Sequence, residues 1–320
     1  MATVYHRDQA GAPALTYGNS SQIGFNAVKA ILKACLVDGY TGRAAAGWEL
    51  INEGPAFIVL RNGSHSGYVC FELVTSVMRV HLAETYTGMS GNIMTGAGVK
   101  SGTGSASSVP QAVNVGQVAR SSDWVSWVLI ADSNSFLLDV FGSASDVELG
   151  PNTLHYGGFV LSVGEDSDGN FISAGGHSGT QTSATQAPAY LSSSGGFTAL
   201  KSPDTGLLVG PASIPLSIPG MPHSVPAQAD AVFPLERISL LHVRWGSNQL
   251  AGRLRGIVAV PELQCLRWAS YAAQSLGHPA PITTRTGNTP VDLGDGYHYF
   301  VRMGANDSPF WMITDNPEFW

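Results

Sequence analysis

The segment Ser21 to Asp38 carries the one convincing helical stripe in this chain, and that scarcity constrains the fold more than any other feature. Ile23, Ala27, Ile31, Ala34 and Cys35 recur at helical spacing, Ser20 or Ser21 can cap the first turn, and Asp38-Gly39 ends it. A helix with one apolar face needs a sheet to cover. Strand-like text follows at once in Trp48 to Ile51, Phe57 to Arg61, Tyr68 to Thr75 and Met78 to Thr85, with Asn62-Gly63 able to take the positive φ of a tight hairpin.

Further strands are predicted at Trp124 to Asp132, Ser135 to Phe141, Gly158 to Gly164 and Asn170 to Ser173, the last two facing each other across Asp166 to Gly169. Ile238 to Trp245, Arg253 to Val260, Tyr297 to Met303 and Phe310 to Ile313 complete the set. Two regions interrupt it. Gly88 to Ser122 is nearly all Gly, Ser, Ala and Val, and Gly175 to Val225 is rich in Pro, Ser and Thr. Both are too poor in large apolar groups to form a core, and repeated prolines forbid a continuous ladder in the second.

The expected fold is α+β but mostly β: twisted antiparallel sheets or a β-sandwich, one N-terminal amphipathic helix, and long Gly/Ser/Pro-rich excursions. The expected organisation is a helix-on-sheet segment at 1–87, an extended arm at 88–122 and a β-hairpin segment of the core at 123–174. A second extended arm at 175–225 and a C-terminal β segment closing the core at 226–320 follow. A chain of 320 residues is long enough for two or three domains, or for one long domain with insertions.

Charge narrows the partners. Charged residues make up 12% of the chain, about half the usual level, which favours a surface covered by protein neighbours because interface cores are depleted in Lys, Glu and Asp. A net charge of −7 with no run of basic residues argues against nucleic acid. The opening MATVYHRDQAGAP has no apolar signal core and no apolar run reaches about 18 residues, which predicts synthesis in a reducing cytoplasm without membrane insertion. Cys35, Cys70 and Cys265 are too far apart for a recognisable metal or disulfide pattern and read as free core residues.

No catalytic pattern emerges. Gly96 to Ser101 has neither phosphate-loop nor dinucleotide spacing, and Gly175 to Gly179 lacks the second glycine of a nucleophile elbow because Thr180 stands there. Asp166, Asp168 and Asn170 have calcium-loop spacing, but Gly169 is misplaced and His177 stands where the closing carboxylate belongs, so a hairpin turn explains them better. The nine histidines form no zinc motif, and Asp132, Asp139, Asp292 and Asp295 sit at strand ends and turns where acids are common. Trp48, Trp124, Trp127, Trp245 and Trp268 read as core. Trp311, Phe319 and Trp320 place large apolar groups near a chain end, where they either close the core or dock on a neighbour; they are the candidate interface residues. No catalytic, metal or cofactor residue is assigned.

Several segments, in order, resemble a group of tail-associated virion proteins of long-tailed bacteriophages: VYHRDQAGAPALTYG with AVKAILKACLVDGYTG, WVLIADSNSFLLDVF, GGFVLSVGEDSDGNFISAGG, and FPLERISLLHVRW with GRLRGIVAVPELQCL. The chain departs from that pattern at Val260-Pro261-Glu262-Leu263 and in its ending Asn316-Pro317-Glu318-Phe319-Trp320. The resemblance implies a non-enzymatic structural role at the tail tip or baseplate, in several copies, with other tail proteins as partners and neither cofactor nor reaction. Two alternatives stay open: a host-receptor module contacting surface glycan or pilus, and a cell-wall or glycan hydrolase.

Overall fold

The computed structural model describes residues 1–15, 21–75, 77–99, 112–113, 126–141, 158–175, 196–199, 212–213, 216–217, 236–244, 247–259, 290, 294–302 and 311–320. Among them the chain is mostly β, with antiparallel sheets and a single short helical segment near the N-terminus. It opens with strand β1 (Thr3–His6) and helix α1 (Ser21–Leu32), which widens into a π-helical turn at Lys33–Asp38. A five-stranded sheet follows from β2 (Glu49–Gly54), β3 (Phe57–Arg61), β4 (Tyr68–Val74) and β5 (Val77–Ala83). A small hairpin, β6 (Gly88–Ser90) and β7 (Ile93–Thr95), precedes β8 (Ala112–Val113), which pairs with β5 as the fifth strand.

The second sheet has seven strands: β1, then β9 (Ser126–Ala131), β10 (Ser135–Phe141), β11 (Gly158–Glu165), β12 (Phe171–Gly175), β13 (Gly196–Ala199) and β14 (Ala212–Ser213). The third joins β15 (Leu216–Ser217), β16 (Glu236–Arg244), β17 (Ser247–Ala259), β18 (Tyr299–Arg302) and β19 (Trp311–Thr314) in the order β15-β16-β17-β19-β18.

One core joins the helix to the first two sheets. Alternation aims Ile58, Leu60, Val69, Phe71, Val80 and Leu82 of the five-stranded sheet at Trp127, Leu129, Phe136, Leu138 and Val163 of the seven-stranded sheet, with Phe25, Val28, Ile31 and Leu32 of α1 in the same cluster. The expected stripe holds at Ala27, Ile31 and Cys35, which are buried in this core, but not at its other two positions. Ile23 is exposed and Ala34 only half-buried, whereas Phe25, Val28, Leu32 and Leu36 are buried. The π turn adds a residue to the helical step, so the periodicity shifts at Lys33, and the carbonyls of Cys35 and Leu36 accept from the amides of Ala46, Gly47 and Trp48. Gly39, at φ 75°, ends the helix as expected, while Ser20 lies outside the described residues.

The opposite face of the seven-stranded sheet is buried too. Val128, Ile130, Leu137, Ile172 and Ala174 are all buried there, and Leu254, Arg255 and Trp320 meet Ser162, Ile172 and Asp166. The outer face of the five-stranded sheet is covered by part of the Gly88 to Ser122 region expected to be an arm. Met94 of β7 is buried against Val59, Cys70 and Ala83, with Met89, Tyr86 and Val99 packed alongside. The hairpin needs few apolar residues of its own because the sheet supplies the rest.

The turn after Arg61 does join β3 to β4 as an antiparallel pair, but its positive φ does not fall at Asn62-Gly63. His65, at φ 60°, takes the left-handed conformation in that connection, and Asn62 is buried instead. Its amide donates to Ser64 Oγ and Ser66 Oγ at 2.8 Å and to Asn134 O at 3.2 Å, while Gly63 N donates to Ser133 O at 2.7 Å. The β3–β4 connection is thereby stitched to the β9–β10 turn of the other sheet.

Candidate functional site

Most residues that looked chemical in the sequence are occupied in turns. Asp132 Oδ1 accepts from the amides of Asn134 and Ser135, each at 2.8 Å, and closes the β9–β10 hairpin. Asp166 Oδ1 accepts from Asp168 N and Asn170 N at 2.9 and 2.8 Å, the pattern of a side-chain-closed turn, and Gly169 supplies the positive φ. Asp295 accepts from Tyr297 N and from the Tyr299 hydroxyl. Asp139 is buried within β10, and Asp292 lies outside the described residues. Gly96 sits against Thr85 at the base of the small hairpin, where Ala97 N donates to Thr85 Oγ1 at 2.8 Å. His177 to Thr180 and Lys100-Ser101 lie outside the described residues. Among the described residues no group of three or more His, Cys, Asp or Glu is arranged to hold a metal ion.

Trp48, Trp127, Cys35 and Cys70 serve the interior. The Trp48 indole donates to Asp132 O and the Trp127 indole to Pro13 O, both at 3.0 Å, and Trp124, Trp245, Trp268 and Cys265 lie outside the described residues. Cys35 and Cys70 are buried free thiols; burial pushes Cys35 well above the usual thiol range and Cys70 up to about 12, so neither is a ready nucleophile.

The C-terminal aromatics are brought against the chain's own third sheet. Phe319 is 5% exposed; the Trp320 indole donates to Thr314 O at 2.6 Å and lies over Gly256, where a Cβ would come within 2.5 Å of the ring. Trp311 pairs through its backbone with Ala259 and Arg302. Asn316 ties the corner, donating to the Tyr299 hydroxyl at 2.7 Å.

Two features are placed to do something beyond holding the fold. The first is one end of the seven-stranded sheet. Phe141 pairs directly with Gly158 and with Ser126, and Gly175 pairs directly with Gly196. The connections 142–157 and 176–195 therefore leave and re-enter at the same end of the sheet, beside the entry into β9. Residues 176–195 contain no Asp, Glu, Lys or Arg.

The second is a crevice of ≈ 560 Å³ where β1 meets the third sheet, lined by His6, Asp8, Gln9, Arg43, His298 and Asp315 with apolar walls from Val4 and Phe300. The β1–β9 register sets Val4 and His6 on the face shared with Ile130 and Val128, toward the third sheet. His298 just precedes β18 and Asp315 just follows β19; their rings and carboxylate meet at 2.8 Å from Nδ1 to Oδ2, and His298 N donates to Asp315 Oδ1 at 2.7 Å. Gln9 is held by the Tyr40 hydroxyl and by His6 N. Burial holds His6 below the ordinary histidine range; Asp8 opposes this, and the nearby Arg43 and His298 add to it. Sequence reasoning missed this crevice, because its histidines come from opposite ends of the chain.

No protein-family model matches the chain, and comparison with curated proteins and with solved structures finds no match. Among the described residues no helix is long and apolar enough to cross a membrane.

Proposed function

We propose that this chain is a structural component of a bacteriophage tail, at the tail tip or baseplate, without enzymatic activity, holding other tail proteins and further copies of itself through its long connections. The observation that carries the reading is the clustering of those connections at one end of a rigid, doubly covered sheet, with residues 176–195 free of ionic side chains. Few charges suit a surface that a neighbour covers, since every buried ion would need a partner. The segment resemblance to virion proteins points the same way.

Light scattering on the purified chain together with density mapping of intact particles tests it. The expected result is a monomer or small oligomer alone and a ring or cluster at the tail tip, with 142–157 and 176–195 against neighbours. A particle assembled without this chain removes the reading.

A further inference from the structure

We propose that the crevice between β1 and the β18–β19 corner is a binding site for a small organic ligand bearing an oxyanion, phosphate or carboxylate, recognised by Arg43, His6 and His298. This goes beyond the assembly reading and stands or falls separately from it.

The argument rests on which groups are engaged. The two carboxylates in the crevice are engaged within the fold: Asp8 Oδ1 accepts from Arg7 Nε at 3.0 Å, and Asp315 takes the backbone amide and the ring of His298. Arg43 is exposed, and among the described residues its guanidinium makes no hydrogen bond or ion pair. Five N–H donors in a planar fork thus face the crevice beside two imidazoles whose Nε2 atoms have no hydrogen-bond partner among the described residues. A guanidinium with no partner of its own is the group that best matches two oxygens of a phosphate or carboxylate.

Size argues for a ligand larger than a bare ion. A space of ≈ 560 Å³ lies in the range of small-molecule sites, and Val4, Phe300 and Pro290 give it apolar walls. The titratable and charged groups facing His6 are Asp8 from its own segment, Arg43 from the connection after the helix, and His298 with Asp315 from the third sheet. Burial, Arg43 and His298 favour the neutral ring in the empty crevice, and an incoming anion reverses the last two influences. Binding is therefore accompanied by proton uptake and tightens as pH falls.

Calorimetry and imidazole proton NMR on the full chain, with glucose 6-phosphate, glucuronate and uncharged glucose as probes, test the site. The expected result is binding of one or both charged probes with shifts confined to His6 and His298, roughly ten-fold tighter at pH 5.5 than at 7.5, and no binding of glucose. Preference between the charged probes assigns phosphate or carboxylate. Arg43→Gln, an exposed change that leaves the melting temperature unaltered, weakens binding by about ten-fold or more. Equal binding of glucose, an unaffected Arg43→Gln protein, or unmoved histidine resonances with all three probes overturns the proposal.

Discussion

At one end of the seven-stranded sheet the chain reverses in two tight turns, Asp132 to Ser135 and Asp166 to Asn170, whereas at the other it departs for residues 142–157 and 176–195 before returning to pair with its own neighbour. The tight end is over-determined. Aspartate side chains close both turns, Asn62 and Gly63 bind the β3–β4 connection to it, the Trp48 indole reaches Asp132 O, and Arg255 donates to Asp166 O at 3.0 Å. The connection 176–195 at the open end carries no Asp, Glu, Lys or Arg and is mostly Ser, Thr, Gly, Ala and Gln, with His177, Pro188, Tyr190 and Leu191 among them. One end of the sheet is thus tied by side-chain and inter-sheet hydrogen bonds, whereas two long connections leave from the other.

The largest test of that division is Gly164→Val. Gly164 has φ 127° and its Cβ position lies 2.3 Å from Asn134 O, so a β-branched side chain meets both strain and backbone collision, and a loss of at least about 3 kcal/mol by urea denaturation is expected. Full retention of stability would break the picture of a rigid end. Next comes Asn62→Ala, which strips partners from a buried connection; a loss of about 2–3 kcal/mol is expected in the same assay. Asp166→Ala removes the acceptor for two turn amides that water can partly replace, and a drop of about 1–2 kcal/mol should appear as a lowered midpoint with unchanged slope.

The smallest stability effect belongs to the open end. Replacing 176–195 by a two-residue Asn-Gly turn, which the direct Gly175–Gly196 pairing permits, should move the unfolding free energy by less than about 1 kcal/mol. The same variant should fail to enter particles in a complementation assay. If it instead unfolds, the open end is part of the core and the contrast between the ends collapses.

The strands were legible because their signal is local. Phe57–Arg61 and Ser135–Phe141 sit at their expected bounds, since alternation over five to seven residues needs no knowledge of the partner. The helix was legible as an element and in part of its stripe: Ala27, Ile31 and Cys35 are buried as expected, while the π turn and a core shared by two sheets also bury Phe25, Val28 and Leu36 and leave Ile23 exposed and Ala34 half-buried. Asn62-Gly63 misled because a turn rule that holds for an isolated hairpin lost to hydrogen bonds offered by another sheet. The hairpin around Met94 hid inside a polar composition because its apolar partners, Val59, Cys70 and Ala83, are on strands written earlier.

The crevice was invisible for a different reason. His6-Arg7-Asp8 shows one imidazole near a carboxylate, but nothing in the sequence says that His298 and Asp315 return to it. Spacing rules read neighbours along the chain, and this site is assembled from the first strand, the connection after the helix and the final strand pair.

The pairing of β1 with β9 sets an order of events during synthesis. Thr3 must wait for Ala131 to leave the ribosome, so the first strand emerges as an unpaired edge, and its exposed backbone stays open until more than a third of the chain has been made. The corner that brings His298 and Asp315 to His6 arrives later still, well after β9 has been made. A product truncated before β18 would therefore possess the helix and the five-stranded sheet yet lack the completed crevice, which makes the crevice a chemical mark that β18 and β19 have docked.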